Sequence, residues 1–384
     1  MLVRTRPGNK RLIVTLVVVA AVCKLYTEGQ ALSKDIPDHL DGAKVLHSFK
    51  TPAASAQNQA PQQDSADSSN LTMSLEKIRN NTRVPGWASD KSSVKLLGSN
   101  LTTIQHKFSC LSRRVGSQQG EDDFAYNTFF YGKANGIFLE TGALDGMLYS
   151  NSLYFDRRLG WKGLLIEASP HSYESLVVNR PNQVNIHAAL CAESKTVHWA
   201  DKSAVDSLVT WRKKKHMGAV NGIIEFMSPE FKRRWWQSTP GGAEMTGIPV
   251  QCVPLAAILE LYGFKLINYF SLDVEGGELE VLRSINFSSV LFDVVSIEMD
   301  GSNKEKDEEV NMFMFKHGFK LHTTGFNSWF VREGFRPSSN PECAESYTIG
   351  QNCFTCPHNR ARIETGNLQT TRSGNISSSP KTSK

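Results

Sequence analysis

Short apolar runs recur through the middle of the chain, separated by polar stretches of helical spacing. Residues 137–139 (IFL) and 163–168 (GLLIEA) predict two strands. Their uninterrupted apolar triplets imply burial on both faces, as in a parallel sheet. A helix-compatible segment, roughly 148–159, lies between them. PHSYESLVVNR, residues 170–180, predicts a second helix, with Pro170 near its first turn and Ser169 as N-cap. VNIHAAL, residues 184–190, predicts a third strand. Beyond it come a helix at 253–263 ended by Gly263, a fourth strand at 267–276 and a helix over GELEVLRSI. A fifth strand follows at 292–299, then a helix at 304–318 ended by Gly318. FKLHTT and NSWFVRE predict a closing antiparallel pair. Strands alternating with helices give an α/β fold: a mostly parallel sheet with helices on both faces and an antiparallel hairpin added.

The flanks have another texture. Arg4, Arg6, Lys10 and Arg11 precede an apolar run from Leu12 to Cys23. That pattern fits a signal-anchor with a basic cytoplasmic tail (residues 1–11 and 12–26), or a cleaved signal peptide. Either delivers the remainder to the secretory lumen. Residues 27–120 predict a polar stem, because SAQNQAPQQDSADSSN offers too little apolar surface to offset ordering entropy. The globular domain is placed at 121–335. A Cys-containing extension and polar tail fill 336–384.

Five N-x-[ST] triplets, at Asn70, Asn80, Asn100, Asn286 and Asn375, agree with a lumenal location. So does an even set of six cysteines after Cys23: Cys110, Cys191, Cys252, Cys343, Cys353 and Cys356. An oxidising lumen allows up to three disulfides among them, of unassigned pairing. Cys353, Cys356 and His358 with Cys343 could instead bind zinc. A formal charge of +5 over 384 residues does not mark a nucleic-acid binder.

Candidate chemistry sits at the strand ends, where ligands of open parallel sheets bind. IFLETGALDG places Glu140 after the first strand, then Gly142, Ala143, Asp145 and Gly146, with Ser150 and Asn151 following. This is not the G-x-G-x-x-G that cradles a pyrophosphate. Two carboxylates in one loop suit a cationic or zwitterionic ligand. Glu167 ends the second strand, 25 residues after Gly142, near the offset at which an acid holds ribose hydroxyls. A ribose with a positive centre and no phosphate chain describes S-adenosylmethionine. SLDVEGGELEVL crowds Asp273, Glu275 and Glu278 at the fourth strand's tip, with Glu298 and Asp300 at the next. Such carboxylates could steer a cationic cofactor, bind a divalent metal or accept a proton. Glu278 reads mainly as a helix-start residue favoured by the dipole.

GIFLETGALDGMLYSNSLYFDRRLGWKGLLIEASPHSYESL and SLDVEGGELEVL together resemble the FkbM-type methyltransferases over residues 121–335. The resemblance implies a class I, Rossmann-like methyltransferase fold, S-adenosylmethionine as cofactor and O-methylation of hydroxyls, often on sugars. Glu140, Gly142, Asp145, Ser150, Glu167 and Asp273 match the family's motif positions. Ala143, Asn151 and Ala189 are further candidate cofactor contacts. The expected catalytic residues are Asp273 and Glu275, one accepting the proton of the acceptor hydroxyl. The long insertion before residue 253 carries WRKKKH from Trp211 and FKRRWW at 231–236. Trp211, Trp235 and Trp236, with His171, are substrate candidates, although a solvated basic loop over packed Trp side chains explains the insertion equally well. The expected partner is a glycan or glycoprotein at the Golgi or ER membrane. The anchor and stem also resemble the Star-like group associated with cargo trafficking, which keeps a non-catalytic lumenal role open.

Overall fold

The computed structural model describes residues 65–99, 101–105, 116–200, 221–236, 247–299 and 303–343. Helices α1 (Ser65–Asn80) and α2 (Lys91–Lys95) come first, then the short strands β1 (Thr102–Thr103) and β2 (Gly116–Ser117). Helix α3 (Glu121–Phe129) and β3 (Lys133–Ala134) lead into β4 (Ile137–Thr141). After it run β5 (Leu148–Tyr149), α4 (Leu153–Leu159), β6 (Lys162–Glu167), α5 (Pro170–Asn179) and β7 (Val184–His187). An inserted unit holds β8 (Ala189–Leu190), β9 (Lys195–Ala200), β10 (Gly222–Ile223), α6 (Pro229–Trp236) and β11 (Ile248–Val253). The chain closes with α7 (Leu255–Tyr262), β12 (Leu266–Leu272), α8 (Glu278–Arg283), β13 (Leu291–Glu298), α9 (Lys304–Lys316), β14 (Phe319–Thr323) and β15 (Asn327–Arg332).

The main sheet has the order β14-β15-β13-β12-β4-β6-β7. β13, β12, β4, β6 and β7 are mutually parallel, and β15 and β14 run antiparallel at one edge. The five parallel strands and the closing hairpin predicted from sequence are all present. Strand order reverses between β4 and β12, so a crevice opens beyond their carboxyl ends. Pleat alternation sends Ile137 and Leu139 to an aliphatic core on one face and Phe138 to an aromatic core on the other. The second core gathers Phe124, Phe129, Phe130, Tyr154, Phe155, Trp161, Tyr269 and Trp329. Burying each such side chain contributes about 1.5–3 kcal/mol.

Several boundaries differ from the sequence expectation for local reasons. The helix expected from 148 starts at Leu153, because Tyr149 has a φ of 59° and residues 150–152 are drawn to Glu140. The third strand divides: β7 stays in the main sheet, while β8 leaves it to pair with β11. The fourth strand ends at Leu272, and a turn at residues 275–276 precedes the next helix. Ser169 caps α5 as expected, its Oγ accepting from Ser172 N.

The expected stem needs correction. Ile78, Ala88 and Val94 are buried in the aliphatic core, and Trp87 donates its indole N–H to Asn182 O. Arg83 and Asn185 exchange backbone hydrogen bonds, so this segment is stitched to β7. The start of the expected C-terminal extension is also packed, since Ser338 and Asn340 donate backbone N–H groups to Phe129 and Asn127. No helix among the described residues is long and apolar enough to cross a membrane, and residues 12–26 lie outside them.

Arg180 locks the loop after β4 to α4 and α5. It is fully buried, and its guanidinium reaches Asp156 at 2.7 Å, Gly146 O at 3.0 Å, and Ser150 and Ser152 hydroxyls at 3.1 Å. Replacing it with Met strands Asp156 and the Gly146 carbonyl. Breaking a buried pair this way costs about 3–5 kcal/mol. Urea denaturation of Arg180→Met should therefore show a midpoint far below that of the parent chain, and an unchanged midpoint would refute the locking role.

Candidate active site

A cavity of about 440 Å³ opens at the β4/β12 switch point, within the size range of small-molecule sites. Its floor comes from strand ends: Thr141 and Gly142 after β4, Glu167 and Ala168 after β6, Asp273 to Gly277 after β12, and Glu298 ending β13. Its roof comes from the insertion, through Trp199, Asn221, Ile223, Phe226 and Phe231. The two walls touch: a Cβ on Gly222 would lie 3.5 Å from Glu275 Cβ, and one on Gly277 would lie 3.0 Å from the Phe226 ring. Leu144, Tyr149 and Glu275, three of the four described non-glycine residues at positive φ, line this space. Backbone strain of that kind persists where surrounding structure holds it, commonly at functional sites.

Glu140 does not line the cavity. It is buried beneath it, accepting hydrogen bonds from Ser150 Oγ (2.8 Å), Asn151 N (2.7 Å) and Ser152 Oγ (2.5 Å). Ser150 and Asn151 are its partners, and Asn151 also donates to Ser271 Oγ at 2.9 Å. Asp145 closes the loop on itself by accepting from Met147 N and Leu148 N. Ala143 is buried in the aromatic core. These five residues shape the loop from below, without facing the cavity.

Gly142, Glu167, Ala189, Asp273 and Glu275 do face it. Asp273 N donates to Thr141 O, which sets the two strand ends side by side. Glu167 accepts from Leu144 N at 2.8 Å and Ser169 N at 2.7 Å, one bond per oxygen. Each oxygen keeps a further lone pair. Burial pushes the Glu167 carboxyl up to about 7.

Burial also raises Asp273, to about 6, while a hydrogen bond from Glu298 opposes the rise. Glu298 is raised much further, by burial and then by the Asp273 charge beside it. Two carboxyls so placed cannot both ionise cheaply, and the pair titrates together. Their hydrogen bond lets the two carboxyls hold one proton between them. Asp273, Glu275 and Glu298 bring one oxygen each within 4.8 Å of the others, but the proton shared by two of them already balances part of that charge. Glu278 accepts from Gly276 N and pairs with Lys306 at 2.6 Å, so its carboxylate ties α8 to α9 as well as favouring the helix start.

His171 is exposed on α5, away from the cavity lining. Trp211 lies outside the described residues, and so do the side chains of Trp235 and Trp236 at the end of α6. Phe231 of the same helix reaches the cavity instead. Trp199, Phe226 and Phe231 are lining residues that the sequence reading passed over. The alternation of Val197 and Trp199 along KTVHWA, flanked by polar residues, was the available signal. Glu121 and Asp122 were also passed over. They are buried at the start of α3, and burial pushes them up to about 7 and about 6.

The site fits S-adenosylmethionine on two observations. Gly142 lets the β4 and β12 ends meet at the cavity floor, since a Cβ there would lie 1.8 Å from the Asp273 backbone oxygen. Glu167 retains acceptor capacity for hydroxyls.

Residues 140–321 match the family model described as the methyltransferase FkbM domain. No curated protein matches the chain. Among solved structures, the chain is similar to a candidate RNA methyltransferase from Pyrococcus horikoshii. That alignment has 11% identity, covers 56% of this chain and 82% of the other, and gives a TM-score of 0.26, too loose a superposition to carry weight. Over residues 140–321, the chain carries a methyltransferase domain of the FkbM family.

Proposed function

We propose that the protein is an S-adenosylmethionine-dependent O-methyltransferase that acts on sugar hydroxyls of glycans in the secretory pathway. The observation that carries this reading is the hydrogen-bonded carboxyl pair of Asp273 and Glu298 lining the switch-point cavity. When bound, S-adenosylmethionine supplies a methyl group on a cationic sulfur. Glu167 holds the ribose hydroxyls, and Gly142 lets the backbone approach. Asp273 takes the proton of the acceptor hydroxyl as its oxygen gains the methyl. Glu298, by donating to Asp273, fixes the orientation of that carboxylate.

A sugar acceptor is supported by the aromatic residues of the roof, since pyranose rings have apolar faces for Phe226 and Phe231 to cover. A lumenal location is supported by the Cys191–Cys252 disulfide, a bond that persists in oxidising compartments. Cys343 is disulfide-bonded too, which favours disulfides over the zinc alternative for that residue. Asn70, Asn80 and Asn286 are exposed as glycan acceptors must be. The test is to supply methyl-labelled S-adenosylmethionine with a panel of glycans ending in different hexoses and fucose, and to read products by mass. Label on a terminal sugar is the expected result. Binding of the cofactor product with no transfer to any member of the panel would favour a non-catalytic lumenal role.

A further inference from the structure

We propose that Gln118 recognises the acceptor, an uncharged sugar, by hydrogen-bonding one of its hydroxyls on the Asp273–Glu298 side of the cavity. This inference rests on the sugar O-methyltransferase reading above. Gln118 lines the cavity from a short loop after β2, and it lies outside the matched residues 140–321. Its neighbours hold that loop in place. Ser117 pairs with Tyr149, which also lines the cavity, and Ser117 Oγ donates to Asp122 at 2.5 Å. Gln119 N donates to one oxygen of Glu121 at 2.8 Å, and Asn327 Nδ2 donates to the other at 3.5 Å. Asn327 stands opposite Glu298 in the β13–β15 ladder. Gln118 is therefore tied to the Glu298 side of the cavity. Glu167, the ribose ligand, ends β6, with β12 and β4 between it and β13.

The chemistry of Gln118 suits a hydroxyl. Among the described residues, the other polar side chains of the lining interact within the protein or, like the Trp199 indole N–H, are sealed from solvent. The Gln118 amide has neither a protein partner nor such a seal. An amide both donates and accepts, so it can hold an alcohol through the hydroxyl hydrogen or through its oxygen. Charge then decides what carries that hydroxyl. Among the described residues the cavity is lined by Glu167, Asp273, Glu275, Glu278 and Glu298, against one cation, Lys306, which is paired with Glu278 at 2.6 Å. Even with one proton held between Asp273 and Glu298, acidic groups outnumber cations there. A uronic acid or a sulfated sugar would bring a like charge into that lining with no further cation to meet it. A neutral hexose or deoxyhexose brings hydroxyls alone.

The experiment measures methyl transfer from saturating S-adenosylmethionine to the methyl glycosides of glucose, galactose, mannose and fucose, using the full-length chain, Gln118→Leu and Gln118→Ala. Methyl glucuronide and methyl galacturonide, which carry a carboxylate at C6, are added as competitors. Calorimetry with S-adenosylhomocysteine runs alongside. The parent should methylate at least one neutral glycoside, and neither uronide should compete. Loss of one hydrogen bond predicts a KM for that glycoside about tenfold higher in both variants, with the loss in KM rather than kcat. Affinity for S-adenosylhomocysteine should equal the parent's. An unchanged KM in a folded variant would overturn the proposal, and so would uronides that compete as well as their hexosides bind. Weaker S-adenosylhomocysteine binding in the variants would overturn it too, by placing Gln118 on the cofactor. If Gln118→Leu fails to fold, Gln118→Ala and the uronide competition on the parent decide. If the parent methylates a neutral glycoside and the variants match it, this proposal alone falls. If the parent binds S-adenosylhomocysteine and methylates none of the sugars, the sugar reading falls and takes this proposal with it.

Discussion

Asp273→Asn lowers methyl transfer by about 10²–10⁴-fold in kcat/KM, the range expected for loss of a positioned proton acceptor. The substitution keeps the size of the side chain and the backbone link from Asp273 N to Thr141 O, so cofactor affinity changes only modestly. The pH profile separates the proton-accepting role from a packing role. The Asp273 carboxyl is raised to about 6 by burial. Below that pH it carries a proton and cannot take another, so kcat/KM falls on the acid side. Above it the carboxylate is free to accept, and the rate levels off. The residual rate of the Asn variant should lack this acid limb. A variant with more than about a tenth of parental turnover, outside the 10²–10⁴-fold range, would remove Asp273 from the chemistry.

Gly142→Ala should have the largest effect on binding. Gly142 has a φ of 74°, and a Cβ there would lie 1.8 Å from the backbone oxygen of Asp273. Backbone on both sides of the switch point must move to make room. The left-handed conformation costs an alanine about 1–2 kcal/mol, and forced overpacking adds about 1–3 kcal/mol. Gly334→Ala is the matched control, because Gly334 has a φ of 82° and nothing within 4 Å of a built Cβ. The difference between the two variants in urea denaturation isolates the clash from the dihedral cost. Calorimetry should show S-adenosylhomocysteine binding lost in Gly142→Ala and retained in Gly334→Ala. Retained binding in both would mean that the ligand does not use the β4 loop.

The sheet could be read from sequence because its strands are buried on both faces. Runs such as LLI at 164–166 and FDVVSI from Phe292 then stand out from the helical segments between them. Helix α3 escaped for the opposite reason. It is buried on every side except at Thr128, so EDDFAYNTF shows no polar face and no helical period. Residues 65–99 read as a spacer because their core contacts are few and widely spaced: Ile78, Ala88 and Val94. The carboxylates at the strand tips were visible as a group, but their division of labour was not. Glu140 and Glu167 end consecutive strands in similar sequence contexts. Only the structure shows that Glu140 spends its oxygens on Ser150, Asn151 and Ser152 below the loop, whereas Glu167 faces the cavity. The insertion drew attention through its basic clusters, yet its contribution to the cavity comes from the less conspicuous Trp199, Ile223, Phe226 and Phe231.

A crystal structure with S-adenosylhomocysteine bound would test the central claim most directly. The account predicts density in the switch-point cavity, with the ribose hydroxyls on Glu167, the backbone of Gly142 against the ligand, and the sulfur directed toward Asp273. Density at another surface, or an empty cavity at saturating ligand, would contradict it.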